Sequence, residues 1–368
     1  MHEIFGAVHR AIIHPMWCAG ICLGLVACGG APTPPATEGQ WVAEIGLDHP
    51  LTDRIWDTHA HAFIDRETLL ARAEGADYVL IGERHDHPDH HRLQGWIVEA
   101  LLEGGRHASV AFEMLDADDA GTLGGLPPKL TPEAFAEQVH WAESGWPDFA
   151  LYRPIFSAVF SRSKPVQLLA GNPARTQLKA VMMQGYDTLP EGVTETLALD
   201  RPLESEAAKS LEAEIVAAHC GHASGGLIPA MARGQRLKDA TMAEALINAH
   251  EAGGAILITG NGHARTDRGV PWYVRARAGG KSVSIGLIQV TEGALDPDEA
   301  TSMPFDYVWF TPRLDDIDPC ERFKARLEKL KAAHGGKLPP AKPLPKSPST
   351  TEHSGSQPHS QPQAAPDR

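Results

Sequence analysis

The sequence predicts an α/β fold: a mainly parallel sheet flanked by helices, with a smaller all-helical insertion. Three observations predict it. Short apolar runs, such as Tyr78 to Ile81 and Ala255 to Ile258, read as strands covered on both faces. Segments with helical spacing separate the first of these runs, as parallel strands require. From Glu204 to Gly253 only helical patterns occur.

Taken in order, residues 1–27 read as a lipoprotein signal peptide. Ala11 to Ala27 is mostly apolar, broken by His14 and Pro15, and is short for a membrane span. It closes on Leu25-Val26-Ala27-Cys28, a lipobox-like sequence whose small residues suit signal peptidase II. Cys28 then becomes the lipidated N-terminus. Gly29 follows it in place of an inner-membrane retention Asp, which favours an anchor in the outer membrane, facing the periplasm or the cell surface. Residues 28–40 form a linker rich in Pro, Ala and Thr. The folded body is expected over 41–331, with the helical insertion at about 175–250. The Pro-, Ser- and Gln-rich tail 332–368 lacks the apolar side chains to fold.

The first body strand, Tyr78 to Gly82, runs into Glu83, Arg84, His85 and Asp86. Pro88 then suits the first turn of a helix, in which Leu93, Ile97, Ala100 and Leu101 recur at helical spacing. A strand from Ala108 to Phe112 runs into Glu113. The aromatic stretch Trp141, Trp146, Phe149, Tyr152 and Phe156 is helical and leads to a strand at Val166 to Gly171, before Asn172. After Pro229, Met231, Gln235, Asp239, Met242 and Leu246 form one helical stripe that mixes apolar and polar members. Strands return at Ala255 to Thr259, before Gly260-Asn261-Gly262-His263, and at Val283 to Val290 and Tyr307 to Phe310.

The net charge of −14 and the lack of a basic stripe exclude nucleic acid as a natural partner. Arg10 and Glu3 cancel within the signal, so the processed chain keeps that balance. After cleavage Cys220 and Cys320 remain besides Cys28, free to pair or to stay reduced in an oxidising compartment.

Ligands of open parallel sheets bind at the carboxyl edge of the strands. Glu83, His85, Glu113 and His263 all follow apolar strands, so they are expected to meet in one crevice. Glutamate and histidine together suit a divalent metal such as Zn, Fe or Mn, and equally suit general acid–base work. The blander alternatives are specific. Asp86 could cap the following helix, His87 and His91 could share a helix face, and Glu113 could pair with Arg84 or Arg175. Gln235 and Asp239 either bond the sheet edge or reach the crevice. The aromatic stretch suits core packing, or a flat apolar cofactor such as haem with Tyr152 as iron ligand. Neither a GxSxG nor a HExxH motif is present.

These motifs, in order, resemble the ChaN-like lipoproteins. The resemblance rests on Ile81-Gly82-Glu83-Arg84-His85-Asp86 with Pro88 and His91, then Ala111-Phe112-Glu113-Met114 and Gly145-Trp146-Pro147. It continues through Tyr152-Arg153-Pro154, Gly171-Asn172, His219-Cys220, Gln235 with Asp239, Gly260-Asn261-Gly262-His263 and Gly269-Val270-Pro271. The resemblance implies a haem-binding envelope lipoprotein involved in iron acquisition, with a sheet domain and a smaller helical domain. In that family haem can sit at a dimer contact, so a homodimer is one expectation. The wider superfamily includes the Tiki metalloproteases and the erythromycin-esterase-like hydrolases. By that likeness Glu83, His85, Glu113 and His263 would be the catalytic or metal-binding set of a periplasmic metal-dependent hydrolase, the alternative reading.

Overall fold

The computed structural model describes residues 41–105, 109–127, 129–221, 225–249, 253–301 and 303–318, with single positions as far as 328. The signal peptide 1–27, Cys28, the linker 28–40 and the tail 332–368 lie outside the described residues. No helix among the described residues is long and apolar enough to cross a membrane.

Eight strands form one sheet: β1 (Ile55–Asp57), β2 (Ala62–Ile64), β3 (Tyr78–Glu83), β4 (Ser109–Asp116), β5 (Gln167–Asn172), β6 (Ala255–Gly260), β7 (Ser282–Gln289) and β8 (Tyr307–Thr311). Their order is β2-β1-β8-β7-β3-β6-β4-β5. The six strands from β8 to β5 are parallel, and β1 runs antiparallel to both β8 and β2. The antiparallel edge is a finding beyond the sequence reading. At three residues each, β1 and β2 are too short to show a period.

Every residue of β3 is buried. Val79 and Ile81 enter one core, while Tyr78 and Leu80 enter the other. In β6, Ile256 and Ile258 share the first core and Ala255 and Leu257 the second. This two-sided burial is why the strands read as unbroken apolar runs. Each such Ile or Leu contributes about 1.5–3 kcal/mol by leaving water.

The first core lies under α1 (Arg66–Glu74), α2 (Pro88–Gly104) and the helices between β4 and β5. Those are α3 (Ala120–Gly124), α4 (Pro132–Gln138), α5 (Trp141–Ser144) and α6 (Phe149–Phe160). Helix α2 starts with His87, not Asp86, as its cap: His87 Nδ1 accepts from the Asp89 amide at 3.2 Å. Asp86 is held instead by Arg84 at 2.7 Å. Gly95 lets α2 press onto α6, since a Cβ there would lie 2.8 Å from the backbone of Pro154.

Between β5 and β6 the described residues form only helices: α7 (Arg175–Gln184), α8 (Val193–Thr196), α9 (Ser205–Ala218), α10 (Leu227–Asn248) and a single 3₁₀ turn. Apolar residues of α10, Leu237, Met242 and Leu246, close the second core over the sheet. After β6 come α11 (Asn261–Ala264) and α12 (Val270–Arg277). Cys220, just past α9, is bonded to Cys320 near the end of the described chain, 100 residues later. A loop of that length is tightened by about 4.7 kcal/mol on the chain-entropy account.

Candidate functional site

The carboxyl ends of β3, β4 and β6 lie side by side, and each delivers a polar residue. At the end of β3, Gly82 lets the loop after β6 close down on the strand. A Cβ at Gly82 would lie 2.6 Å from Asn261 Oδ1 and 2.9 Å from Ala264 Cβ. Glu83 follows, buried, and its Oε1 accepts from His85 Nδ1 at 2.6 Å. Glu83 Oε2 is buried without a partner. The backbone carbonyl of His85 is held by His91 Nε2 at 3.1 Å and by the Tyr152 hydroxyl at 3.4 Å. The His85 ring meets the Trp146 edge at 4.9 Å and keeps 40% of its side chain exposed.

The strand expected to end at Phe112 continues to Asp116, so Glu113 lies within β4, at the irregularity that follows Phe112; it is 2% exposed and fully engaged. Its Oε2 accepts from Thr259 Oγ1 at 2.8 Å and from the Gly260 amide at 2.9 Å. Its Oε1 lies 3.2 Å from His263 Nε2 and 3.7 Å from Lys238 Nζ. Asn172, ending β5, donates its amide to the Glu113 carbonyl. His263 Nδ1 is 2.6 Å from Asp239 Oδ1, and the Gln235 amide lies 3.1 Å from the same nitrogen. His263 is therefore clamped between two carboxylates.

The two Glu–His pairs meet over Gly260. A Cβ there would stand 2.9 Å from His85 Cε1 and 3.6 Å from Glu113 Oε2. The structure thus brings Glu83, His85, Glu113 and His263 to one crevice at the sheet edge.

Burial alone would lower the His263 pKa, but Glu113 and Asp239 outweigh it and push it up to about 10. Burial would raise Glu113, yet His263, His85 and Lys238 hold it well below the carboxylate range. Asp239 goes the other way: its burial prevails over His263 and raises it. His85 is raised because Glu83, and more weakly Glu113, overcome its desolvation.

The expected metal set is not what the crevice contains. Among the described residues no three His, Cys, Asp or Glu side chains are grouped to hold a metal. The reason is chemical. A metal ligand needs a neutral imidazole with a free lone pair, and both His263 nitrogens face carboxylates that keep it protonated. His85 gives Nδ1 to Glu83 and keeps Nε2 open, so it is the one ring here that could offer a lone pair, and one such ring does not make a metal set. The donor set fits proton transfer and does not fit a resident metal.

Other expectations are also revised. The cation beside Glu113 is Lys238, while Arg84 pairs with Asp86 and Asp315, and Arg175 with Asp116. His87 and His90 are buried and stacked at 3.9 Å, bonded to Pro312 and Thr311 respectively, and are structural. Tyr152 is wholly buried and points at the His85 carbonyl, not at an outer surface. Its burial, with Glu83 and Glu113 nearby, pushes its phenol far up, so it does not offer a phenolate. Trp141 and Phe156 are likewise core.

Sequence reasoning left Gln235 and Asp239 open, and the structure sends both to His263. Lys238 was missed, although it stands three residues after Gln235 on the same helix. Thr259 and Asn172 were legible only as strand-end residues.

The haem-binding uptake family of the Tiki superfamily, ChaN, matches residues 69–274. The chain belongs to this family. The matched region runs from α1 into α12 and contains every residue of the crevice. Among solved structures, the cofacial-haem complex of ChaN from Campylobacter jejuni is similar at 22% identity and a TM-score of 0.54, covering 69% of this chain and 95% of that one. That likeness shows the shared fold. An erythromycin esterase in its open conformation aligns at 13% identity and a TM-score of 0.34, covering 71% of this chain and 82% of that one. The chain has no match among the curated proteins.

Proposed function

We propose that this ChaN-family protein binds haem in the bacterial envelope and serves haem or iron uptake, anchored through lipid on Cys28. The observation that carries the reading is the family match across 69–274, which takes in strands β3 to β6, the crevice and the helical segment above it. The Cys220–Cys320 bond supports an exported location, because such bonds persist in oxidising compartments. The lipobox-like Leu25-Val26-Ala27-Cys28 supports the anchor.

The residues present fit haem in part. Haem needs an apolar face, an iron ligand and a cation for its propionates. Apolar walls and Lys238 are available beside the crevice. Four of the five tyrosines, Tyr78, Tyr152, Tyr273 and Tyr307, are buried, which leaves the half-buried Tyr186, its hydroxyl 3.4 Å from the Arg233 carbonyl.

Two measurements test the reading. Haemin added to the purified mature chain should give a saturable Soret band. Cys28→Ser should move the protein from the membrane to the soluble fraction. A chain that binds no haemin refutes the uptake reading, and unchanged membrane attachment in Cys28→Ser refutes the anchor.

One observation favours a second reading, hydrolysis without a metal. His85 is backed at Nδ1 by buried Glu83, while its Nε2 has no protein partner among the described residues. A His with that support can take a proton from water as a general base. Glu113, His263 and Asp239 beside it form a fixed, charged wall. Turnover of simple aryl esters that survives a chelator and is abolished by His85→Asn would support this reading. No turnover of such esters by the wild type would remove it.

A further inference from the structure

Trp146 has two neighbours of different kinds. It stands against the His85 ring at 4.9 Å, and it also lines a cleft of about 600 Å³. The cleft lies between α4, α5 and the start of α6, and shares no lining residue with the cavity beside Lys238. Its walls are aromatic, made by Trp141, Trp146 and Phe149 with Pro147 between them. Glu137, Glu143 and Asp148 line it too, all three exposed, and no lysine or arginine does. We propose that this cleft binds an organic ammonium ion, with its charge over the rings and its polarised hydrogens toward the carboxylates. The proposal goes beyond the uptake reading and does not rest on it.

The walls are set before any ligand arrives. Trp141 Nε1 donates to the Pro147 carbonyl at 2.8 Å. Ser144 Oγ donates to the Trp141 carbonyl at 2.7 Å and accepts from the Trp146 amide at 3.2 Å. Trp141 and Phe149 meet edge to face at 5.3 Å. Trp146 and Phe149 are only half-buried, so each keeps ring surface for a ligand. Small-molecule sites typically enclose about 300–1,000 Å³, and this cleft is of that size.

Charge decides the class of ligand. A cation over the face of an aromatic ring is attracted by the ring quadrupole, most strongly over Trp. Helices α4, α5 and α6 carry one basic side chain, Arg153, and it pairs with Glu133 at 2.9 Å. Among the described residues Glu137, Glu143 and Asp148 form no ion pair. An anion is therefore repelled, the propionates of haem included. A bare metal ion is a poorer match than an organic one, since no three His, Cys, Asp or Glu side chains are grouped to hold it. An ammonium ion with apolar substituents satisfies the rings and the carboxylates together. Because Trp146 touches both the cleft and His85, filling the cleft is read out at the half-exposed histidine of the crevice.

Choline and 3,3-dimethylbutan-1-ol test this, because they share a shape and differ by one charge. Each is titrated into the mature chain, followed by tryptophan fluorescence and by the ring-proton resonances of the histidines. Choline should give a saturable change and shift His85 while leaving His263 in place. The alcohol should bind about tenfold more weakly, or worse. Glu137→Gln combined with Glu143→Gln changes two exposed positions, so circular dichroism should be unaltered while choline binds at least about threefold more weakly. Trp146→Leu should remove the His85 shift. Equal binding of the two probes, no saturable binding of choline, or wild-type choline affinity in the double glutamine variant would each overturn the proposal. So would displacement of choline by magnesium chloride at an ionic strength where sodium chloride has no effect, which would make the cleft a metal site.

Discussion

Two Glu–His pairs stand on either side of Gly260, built from the same residue types at the ends of neighbouring strands, and they do different work. In the Glu83–His85 pair the imidazole has one supported nitrogen, one free nitrogen and a side chain 40% exposed. In the Glu113–His263 pair the imidazole is 7% exposed and bonded at both nitrogens, with Asp239 behind it. The first can exchange a proton or meet a ligand. The second is a buried charged brace. The number of carboxylates around each ring, not the presence of the ring, separates the two.

The strongest way to break this comparison is to remove one carboxylate from the brace. Asp239→Asn or Glu113→Gln leaves a buried imidazolium short of a partner, which should destabilise by about 3–5 kcal/mol in urea unfolding. The same variants should flatten the alkaline side of the stability profile. With a folded pKa near 10 against 6.5 unfolded, His263 contributes stability that is complete below pH 6.5 and lost as pH rises to about 10. His87 and His90 act on the other flank. Burial lowers both, most strongly His90, so stability should fall as pH drops below about 6.5. Thermal midpoints of wild type and Glu113→Gln across this range decide the matter: parallel curves above pH 6.5 would refute the brace.

Next in size is the disulfide. Cys320→Ser should destabilise by about 2–5 kcal/mol. Because α9 packs on α10, which carries Asp239, the change should disturb the His263 side first. Nuclear magnetic resonance of the ring protons would show His263 shifted and His85 unmoved. Equal shifts in both would mean that the pairs are not independent.

Gly260→Ala sharpens the comparison from the middle. The added methyl meets the His85 ring at 2.9 Å, with Glu113 Oε2 at 3.6 Å, so the cost of about 1–3 kcal/mol should come from displacing His85. The smallest effect is expected from His85→Asn, under about 1 kcal/mol, since the ring is partly exposed. A loss as large as that of Asp239→Asn would make His85 structural as well.

Much of this arrangement is legible in the sequence, for a physical reason. Strands buried on both faces betray themselves as unbroken apolar runs, so β3, β4 and β6 are legible in the sequence, although Glu83 and Glu113 belong to their strands and do not follow them, and β4 runs on to Asp116. The stripe through Gln235 and Asp239 also showed that α10 carries polar groups toward something. What the sequence did not contain was direction. Nothing local distinguishes a strand-end histidine held by one carboxylate from one held by two, because the second carboxylate arrives from a helix packed across the sheet. Tyr152 misled for the same reason: its neighbours are aromatic whether they face a cofactor or a core. Lys238 was invisible because a lysine three residues past a glutamine looks like any solvated helix position. The β1–β2 edge was too short to leave a period.

The position of β3 sets a timetable for the chain. It lies at the middle of the sheet, yet both of its neighbours, β6 and β7, come from beyond residue 254. A nascent chain can form α2 and the helices around Trp141 early, but it cannot flank its central strand until the last quarter of the body has been made. Pairings this remote in sequence form slowly. A polypeptide that cannot finish its sheet until late stays threadable for most of its synthesis, and the bond from Cys220 to Cys320 can then seal the product only after β8 is in place.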